Sequence, residues 1–305
     1  MERKSALLLR LGGLGDILIT LPSLMLLRKA FPDLDLHLVA REDIGALIRD
    51  AGVVARAFSA DEARWSPLFG DSPRSLERSA QTLSSSDFVI AWFQKNPPPS
   101  VRPALSGSAA ELRVIAYDPG ARLPLSRFFF GRTREFVLSR GRAVFDFDEC
   151  ALLPRAEGPR EKAFAVIHPG SGNPRKCWPL DRFLRIIAFL AERGFTGALL
   201  TGEAEERLER HLERISFPPG WRWMRRPDLR AVAGLLSSAA LYVGNDSGVT
   251  HLAAACGTKV FAVFRKEFEA LWTPFGRTVV LSAETVEDIT WETVAAAIGR
   301  GLPKP

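Results

Sequence analysis

Short apolar runs alternate with amphipathic stretches along this chain, the pattern of a parallel α/β fold. Residues 5–11 read as a first strand, apolar on both faces and so expected to be buried on both. A glycine-rich turn follows, then a helix from about Asp16 to Ala30 that Phe31-Pro32-Asp33 stops. Residues 34–39 predict a second strand, 44–50 a short helix, 53–58 a third strand, and 87–93 and 112–116 two more. Asn96-Pro97-Pro98-Pro99-Ser100 can continue neither element and is expected as a loop. Residues 119–142 read as irregular, with Phe128, Phe129 and Phe130 as their anchor.

The stretch 154–162 is polar and turn-rich and reads as a linker, closing a first domain over 1–153. Alternation then restarts. Strands are expected at 163–167, 198–201, 240–243 and 259–264. Helices are expected at 179–193, 203–215, 229–238 and 249–256, the first of them apolar at Phe183, Leu184, Ile187 and Leu190. A second domain therefore covers 163–285, and a C-terminal helical segment 286–305 carries a helix over about 286–299. The expectation is α/β: two Rossmann-like halves facing a cleft, with ligands beyond the carboxyl ends of the strands.

Length agrees with that division, since 305 residues exceed one ordinary domain of roughly 100–200. A chain 47% hydrophobic and 25% charged is neither disordered nor fibrous. No apolar run approaches the ~20 residues of a bilayer span. The start, Met1 to Arg10, is too short in apolar length and too quickly charged for a secretory signal, so the expected location is the cytoplasm. Three scattered cysteines (Cys150, Cys177, Cys256) form no framework, and four histidines lack metal-ligand spacing. A net charge of +6 falls short of a nucleic-acid binder. Charge is nevertheless local. Between residues 102 and 142 stand eight arginines, among them Arg122, Arg127, Arg132 and Arg134, against Glu111, Asp118 and Glu135. They make either a solvated surface or an anion-receiving face for a phosphorylated acceptor or a membrane surface.

Three strand–turn–helix mouths carry candidate chemistry. Leu11-Gly12-Gly13-Leu14-Gly15-Asp16 follows the first strand: glycines admit a ligand to backbone amides, and the helix start attracts negative charge. Asp16 reads plainly as a helix cap, or chemically as a general base. His168-Pro169-Gly170-Ser171-Gly172-Asn173 follows the strand at 163–167, and Lys176 places a cation at its mouth before Cys177-Trp178-Pro179. Cys177 reads as a packing residue or as a thiol of lowered pKa beside Lys176. Val243 to His251 passes from a strand through Asn245-Asp246-Ser247-Gly248 into a helix whose first amides suit a diphosphate. Here Asp246 reads as a cap and His251 as packing, or both as ligand contacts.

Gly15-Asp16 after a strand, Lys176-Cys177-Trp178-Pro179, and Asp246-Ser247-Gly248-Val249-Thr250-His251, in that order, resemble the signature of the ADP-heptose:lipopolysaccharide heptosyltransferases. The resemblance spans nearly the whole chain and is strongest in its second half. It implies a GT-B fold and an inverting, metal-free sugar transfer from an ADP-sugar, with no cofactor. By position, Asp16 resembles the family's general base, and Gly15 belongs to the same turn. Lys176 resembles the lysine on the donor phosphates and counts as catalytic as well as donor-binding, with Ser171 and Gly172 in the loop before it. Ser247 and Gly248 resemble the diphosphate cradle, Asp246 the acid that holds the heptose, and His251 closes the motif. Gly202 with Glu203 or Glu205 resembles the glycine–acid element on the nucleoside ribose. Arg122, Arg127, Arg132 and Arg134 are the acceptor-side candidates. The expected partners are an anionic or lipid-linked glycan, with peripheral contact at the cytoplasmic face of the inner membrane, and no nucleic acid.

The sequence departs from the family where Val137-Leu138-Ser139-Arg140-Gly141-Arg142 lacks an expected histidine-containing stretch, which leaves the acceptor open. Two D-x-D triplets, Asp33–Asp35 and Asp146–Asp148, offer too few convergent oxygens for a hard cation. Two rival readings stand beside transfer: a non-catalytic sugar-nucleotide or glycan binder, and an NAD(P)-type oxidoreductase. The second lacks a clear ribose acid after the second strand.

Overall fold

The computed structural model describes residues 4–63, 65, 77–78, 83, 86–93, 111–118, 120, 122–153 and 161–301. The chain forms two compact units, Met1–Pro154 and Arg155–Pro305. Most of the expected linker (154–160), the proline loop at 96–100 and Arg102 lie outside the described residues.

In the first unit, β1 (Ser5–Leu9), β2 (Asp35–Ala40), β3 (Arg56–Ser59), β4 (Phe88–Phe93) and β5 (Glu111–Ala116) form a parallel sheet ordered β3-β2-β1-β4-β5. β1 is central, and Ala6–Leu9 are all buried because helices cover both faces of such a sheet. The helix expected from Asp16 is two: α1 (Leu14–Leu18) and α2 (Leu21–Ala30). Pro22 explains the break, since it has no N–H to donate and belongs in a first turn. α3 spans Glu42–Asp50.

The segment read as irregular instead contains α4 (Leu125–Ser139), fifteen residues packed against α2. Its buried positions, Leu125, Phe129, Phe130, Thr133, Phe136 and Val137, repeat at helical spacing. Clustered arginines and Gly131 hid that period. A short α5 (Phe147–Cys150) follows, with Asp146 and Glu149 as its capping box. One D-x-D triplet is therefore a helix cap.

The second unit holds β6 (Phe164–His168), β7 (Thr196–Thr201), β8 (Trp221–Arg225), β9 (Leu241–Asn245), β10 (Lys259–Arg265) and β11 (Thr278–Ala283). All pair in parallel, in the order β11-β10-β9-β6-β7-β8. Its helices are α6 (Leu180–Ala191), α7 (Glu206–Leu212), α8 (Leu229–Ser238), α9 (Gly248–Ala255), α10 (Lys266–Trp272) and α11 (Trp291–Gly301). The pattern missed β8, α10 and β11, two of them edge strands. β8 alternates tryptophan with arginine, and that strand is apolar on one side only.

Strand order reverses between β1 and β4 in one unit and between β6 and β9 in the other. Such switch points open a crevice at the carboxyl ends of the strands. All three glycine-rich turns leave a strand that borders one.

Candidate functional site

At the switch point of the first unit, Asp16 is the third residue of α1 and its carboxylate accepts from the Gly13 N–H at 3.0 Å. Gly13, not Asp16, is thus the N-cap, and Asp16 caps it from the third helical position. A second contact goes beyond capping. Arg10, which leaves β1 and is 4% exposed, donates to Asp16 Oδ1 at 2.9 Å and to the Asp16 carbonyl at 2.8 Å. A third guanidinium contact reaches the Trp92 carbonyl at 3.4 Å, and the plane lies 5.5 Å from the Phe129 ring. Burial lowers the Arg10 pKa and Asp16 works against that shift. The carboxylate, 29% exposed, is thus aimed by a fixed cation while keeping a side to solvent. Gly12 makes this possible. Its φ of +126° suits only glycine, and a Cβ there would lie 2.6 Å from Asp16 Oδ2. Arg10 was not anticipated; an arginine closing an otherwise apolar strand was its one signal in sequence.

In the second unit, the turns after β6 and β9 are sewn together. Asn245, fully buried, donates to the Pro169 carbonyl at 2.7 Å and accepts from the Trp178 N–H at 3.0 Å. Ser171 Oγ donates to the Asp246 carbonyl at 2.8 Å. Trp178, buried on Phe183, sends its indole N–H to the Ile289 carbonyl at 2.7 Å, which fixes the segment behind Lys176. Lys176 ends a 3-10 turn and brings its ammonium to 2.7 Å from Asp246 Oδ2. That contact is a close ion pair, with the Asp246 side chain buried and the Lys176 side chain partly exposed. Burial raises the Asp246 pKa, and Lys176 pulls it back.

Ser247 caps α9, accepting from the Thr250 N–H at 3.4 Å, and lies 3.4 Å from His168 Nδ1. The first amides of α9, beginning at Gly248, have no intrahelical acceptor, as at any helix start. Gly172 is open, with nothing near a Cβ. The 3-10 turn Glu203–Glu205 separates the two candidate acids: Glu203 is exposed and Glu205 buried. Glu205 accepts from the Gly202 N–H at 2.7 Å and lies 3.6 Å from His168 Nε2. Burial works to raise its pKa, but the His168 contact and the Gly202 amide hold the carboxyl below its usual range. Gly170 packs on this carboxylate with no room for a side chain. The lowered pKa weighed for Cys177 is not found: burial, and then Glu205, push the thiol up.

His251 is 2% exposed, and neither ring nitrogen has a hydrogen-bond partner among the described residues. Burial, and then the Lys176 charge, push it down to about 4. The unfolded chain protonates such a group near pH ~6.5. Between these values the unfolded state binds more protons, so stability falls as pH falls. Urea melts should show that slope, at most about 1.4 kcal/mol per pH unit, and His251→Gln should flatten it between pH ~6.5 and ~5. His37, also lowered first by burial, adds a share that the variant leaves in place, and the raised Asp246 offsets part lower down. An unchanged slope in His251→Gln would mean that His251 is not held neutral.

The acceptor-side candidates sit on α4 and the turn before it, all exposed. Arg132 pairs with Glu135 at 2.6 Å, and Arg127 covers the Phe147 ring at 4.4 Å. Arg122 stands at φ +50°. Among the described residues no group of three or more His, Cys, Asp or Glu could hold a metal ion, and no helix is long and apolar enough to cross a membrane.

Comparison with known proteins spans both units. Lipopolysaccharide heptosyltransferase 1 of Pseudomonas aeruginosa is 25% identical over 305 aligned residues, 90% of this chain and 82% of its own. Its namesake from Escherichia coli is 25% identical over 277 residues, 82% of each chain. Among solved structures, a glycosyl transferase family 9 protein from Veillonella parvula superposes with a TM-score of 0.75 at 18% identity, covering 99% of this chain and 98% of that one. Escherichia coli heptosyltransferase WaaC, solved with ADP, gives a TM-score of 0.71 at 21% identity over 97% and 99%. These likenesses place the two parallel-sheet units in the GT-B fold. The model of glycosyltransferase family 9 (heptosyltransferase) matches residues 134–290, more than half the chain, from the end of the first unit through the mouths at Lys176 and Asp246, and the protein is a glycosyltransferase belonging to that family.

Proposed function

We propose that the protein is an inverting, metal-independent transferase that moves a heptose from an ADP-sugar to a lipopolysaccharide core or related anionic glycan. The observation that carries this reading is the mouth of the second unit, where Ser171, Lys176 and Asp246 are drawn together at the open first turn of α9. Breaking the anomeric C–O bond leaves negative charge on the departing diphosphate. Lys176, the amides of Ser247 and Gly248 and the α9 dipole answer that charge, the task a divalent cation performs in other sugar transferases. Ser171 and Gly172 line the same loop, Asp246 takes the sugar hydroxyls beside His251, and the Glu203–Glu205 turn supplies the ribose carboxylate.

In the first unit Asp16, aimed by Arg10 and set by the Gly15 turn, takes the acceptor proton. Attack opposite the leaving group then gives inversion in one displacement, with no covalent enzyme intermediate. Arg122, Arg127, Arg132 and Arg134 receive the anionic acceptor. The names of the curated relatives support lipopolysaccharide as its class. Work at the cytoplasmic face of the inner membrane, through peripheral contact, follows from that acceptor. High salt is expected to weaken it.

Thermal shift with ADP, UDP, GDP and NAD at equal concentration, with and without magnesium, tests the donor site. A ligand at 100 times its dissociation constant stabilises by about 2.7 kcal/mol. The expected result is a selective shift with ADP that magnesium leaves unchanged. A shift with NAD alone, or one that requires magnesium, would overturn the reading.

A further inference from the structure

A lysine that must meet a diphosphate poses a physical problem. Its four-carbon stem is flexible, and a strong anionic partner that fixed it would also consume its charge. Lys176 has Asp246 on one side, in contact at 2.7 Å. On its other side is an aromatic ring: the ammonium lies 4.2 Å from the centroid of Phe268. A ring face attracts a cation through its quadrupole and accepts no strong hydrogen bond, so the N–H groups stay free for an anion.

Phe268 does not act by chance of position. It lies on α10, and Trp272 stands four residues further on, one turn along the same face. The Trp272 ring meets the buried His251 edge-on, with centroids 6.4 Å apart. Both aromatics are half-buried. α10 is itself tied down, because Ser282 Oγ of β11 donates to the Glu269 carboxylate. One face of one anchored helix thus touches both Lys176 and His251.

We propose that Phe268 is a positioning residue for Lys176, and that the Phe268–Trp272 face of α10 is the aromatic wall of the donor mouth. The ring holds the ammonium in place while an arriving diphosphate displaces Asp246 from it. This rests on the reading of Lys176 as the donor-phosphate cation.

Two measurements test it. The chain has eight lysines, so a spectrum of protein labelled only at lysine is sparse. The ε-methylene resonance of Lys176, assigned by its loss in Lys176→Gln, should lie upfield by ring current and return in Phe268→Leu. ADP affinity, by calorimetry, should weaken about threefold to tenfold in Phe268→Leu, recover in Phe268→Tyr, and be indifferent to Phe268→Leu in a Lys176→Gln background. An unshifted Lys176 resonance in the wild-type protein, or additive effects of the two substitutions, would overturn the proposal. Wild-type protein that binds no ADP yet shows the shifted resonance would instead overturn the donor reading and leave the contact between Phe268 and Lys176 standing.

Discussion

Asp16→Asn should lower turnover by about 10² to 10⁴, the span of a lost general base, while ADP affinity stays at the wild-type value. The asparagine keeps the shape and can still accept from the Gly13 amide, so the α1 cap survives. It cannot take a proton from an acceptor hydroxyl. The substitution also strips Arg10 of its counter-charge. Arg10 is 4% exposed but keeps its bonds to the Asp16 and Trp92 carbonyls. Because Asp16 is partly exposed, we expect a stability loss of only about 1–2 kcal/mol, too small to unfold the unit at assay temperature. The proposed donor residues lie in the other compact unit, so ADP calorimetry on the same preparation separates lost chemistry from lost structure. Turnover above a tenth of wild type would remove Asp16 as the base.

The second large effect falls on stability. Asn245→Ala should cost about 3 kcal/mol and lower the melting temperature by roughly 6–12 °C. The buried Trp178 N–H and Pro169 carbonyl both lose their partner, and neither is near water. ADP affinity should fall with it, since the segment that Asn245 ties down carries Ser171, Gly172 and Lys176. Asn245→Asp is the sharper control. It keeps an acceptor for the Trp178 amide but turns a carboxylate toward the Pro169 carbonyl, so it should be at least as damaging. A melting temperature within about 1 °C of wild type in the alanine variant, with ADP affinity unchanged, would show that the two turns are held by something else.

Which residues were legible follows from the kind of signal each left. Asp16, Lys176 and Asp246 are polar residues at strand–turn–helix mouths, where glycine and proline punctuate the chain, so local chemistry pointed to them. Arg10 and Asn245 left weaker traces, because each lies at the end of an apolar strand and acts on atoms distant in sequence: Trp92 for one, Pro169 and Trp178 for the other. Phe268 and Trp272 left none, since an aromatic in an amphipathic segment reads as core until the fold sets it beside a lysine. The helix α4 escaped for a different reason. Its arginines and glycine dominate the composition, while its apolar stripe shows only when positions are counted at helical spacing.

By itself the sequence determined two parallel α/β units, the three mouths and the acids and lysine within them. These are consequences of short-range rules: strand alternation, helix starts and the backbone freedom of glycine. Only the tertiary structure decided that the turns after β6 and β9 are bonded to each other, that Asp16 is aimed by Arg10, and that Glu205 is built into the loop floor while Glu203 stays exposed. Strand order does this, by setting β6 beside β9 across more than seventy residues of chain. Hydrogen bonds and ion pairs depend on distances of a few ångströms, and the folded sheet sets those distances.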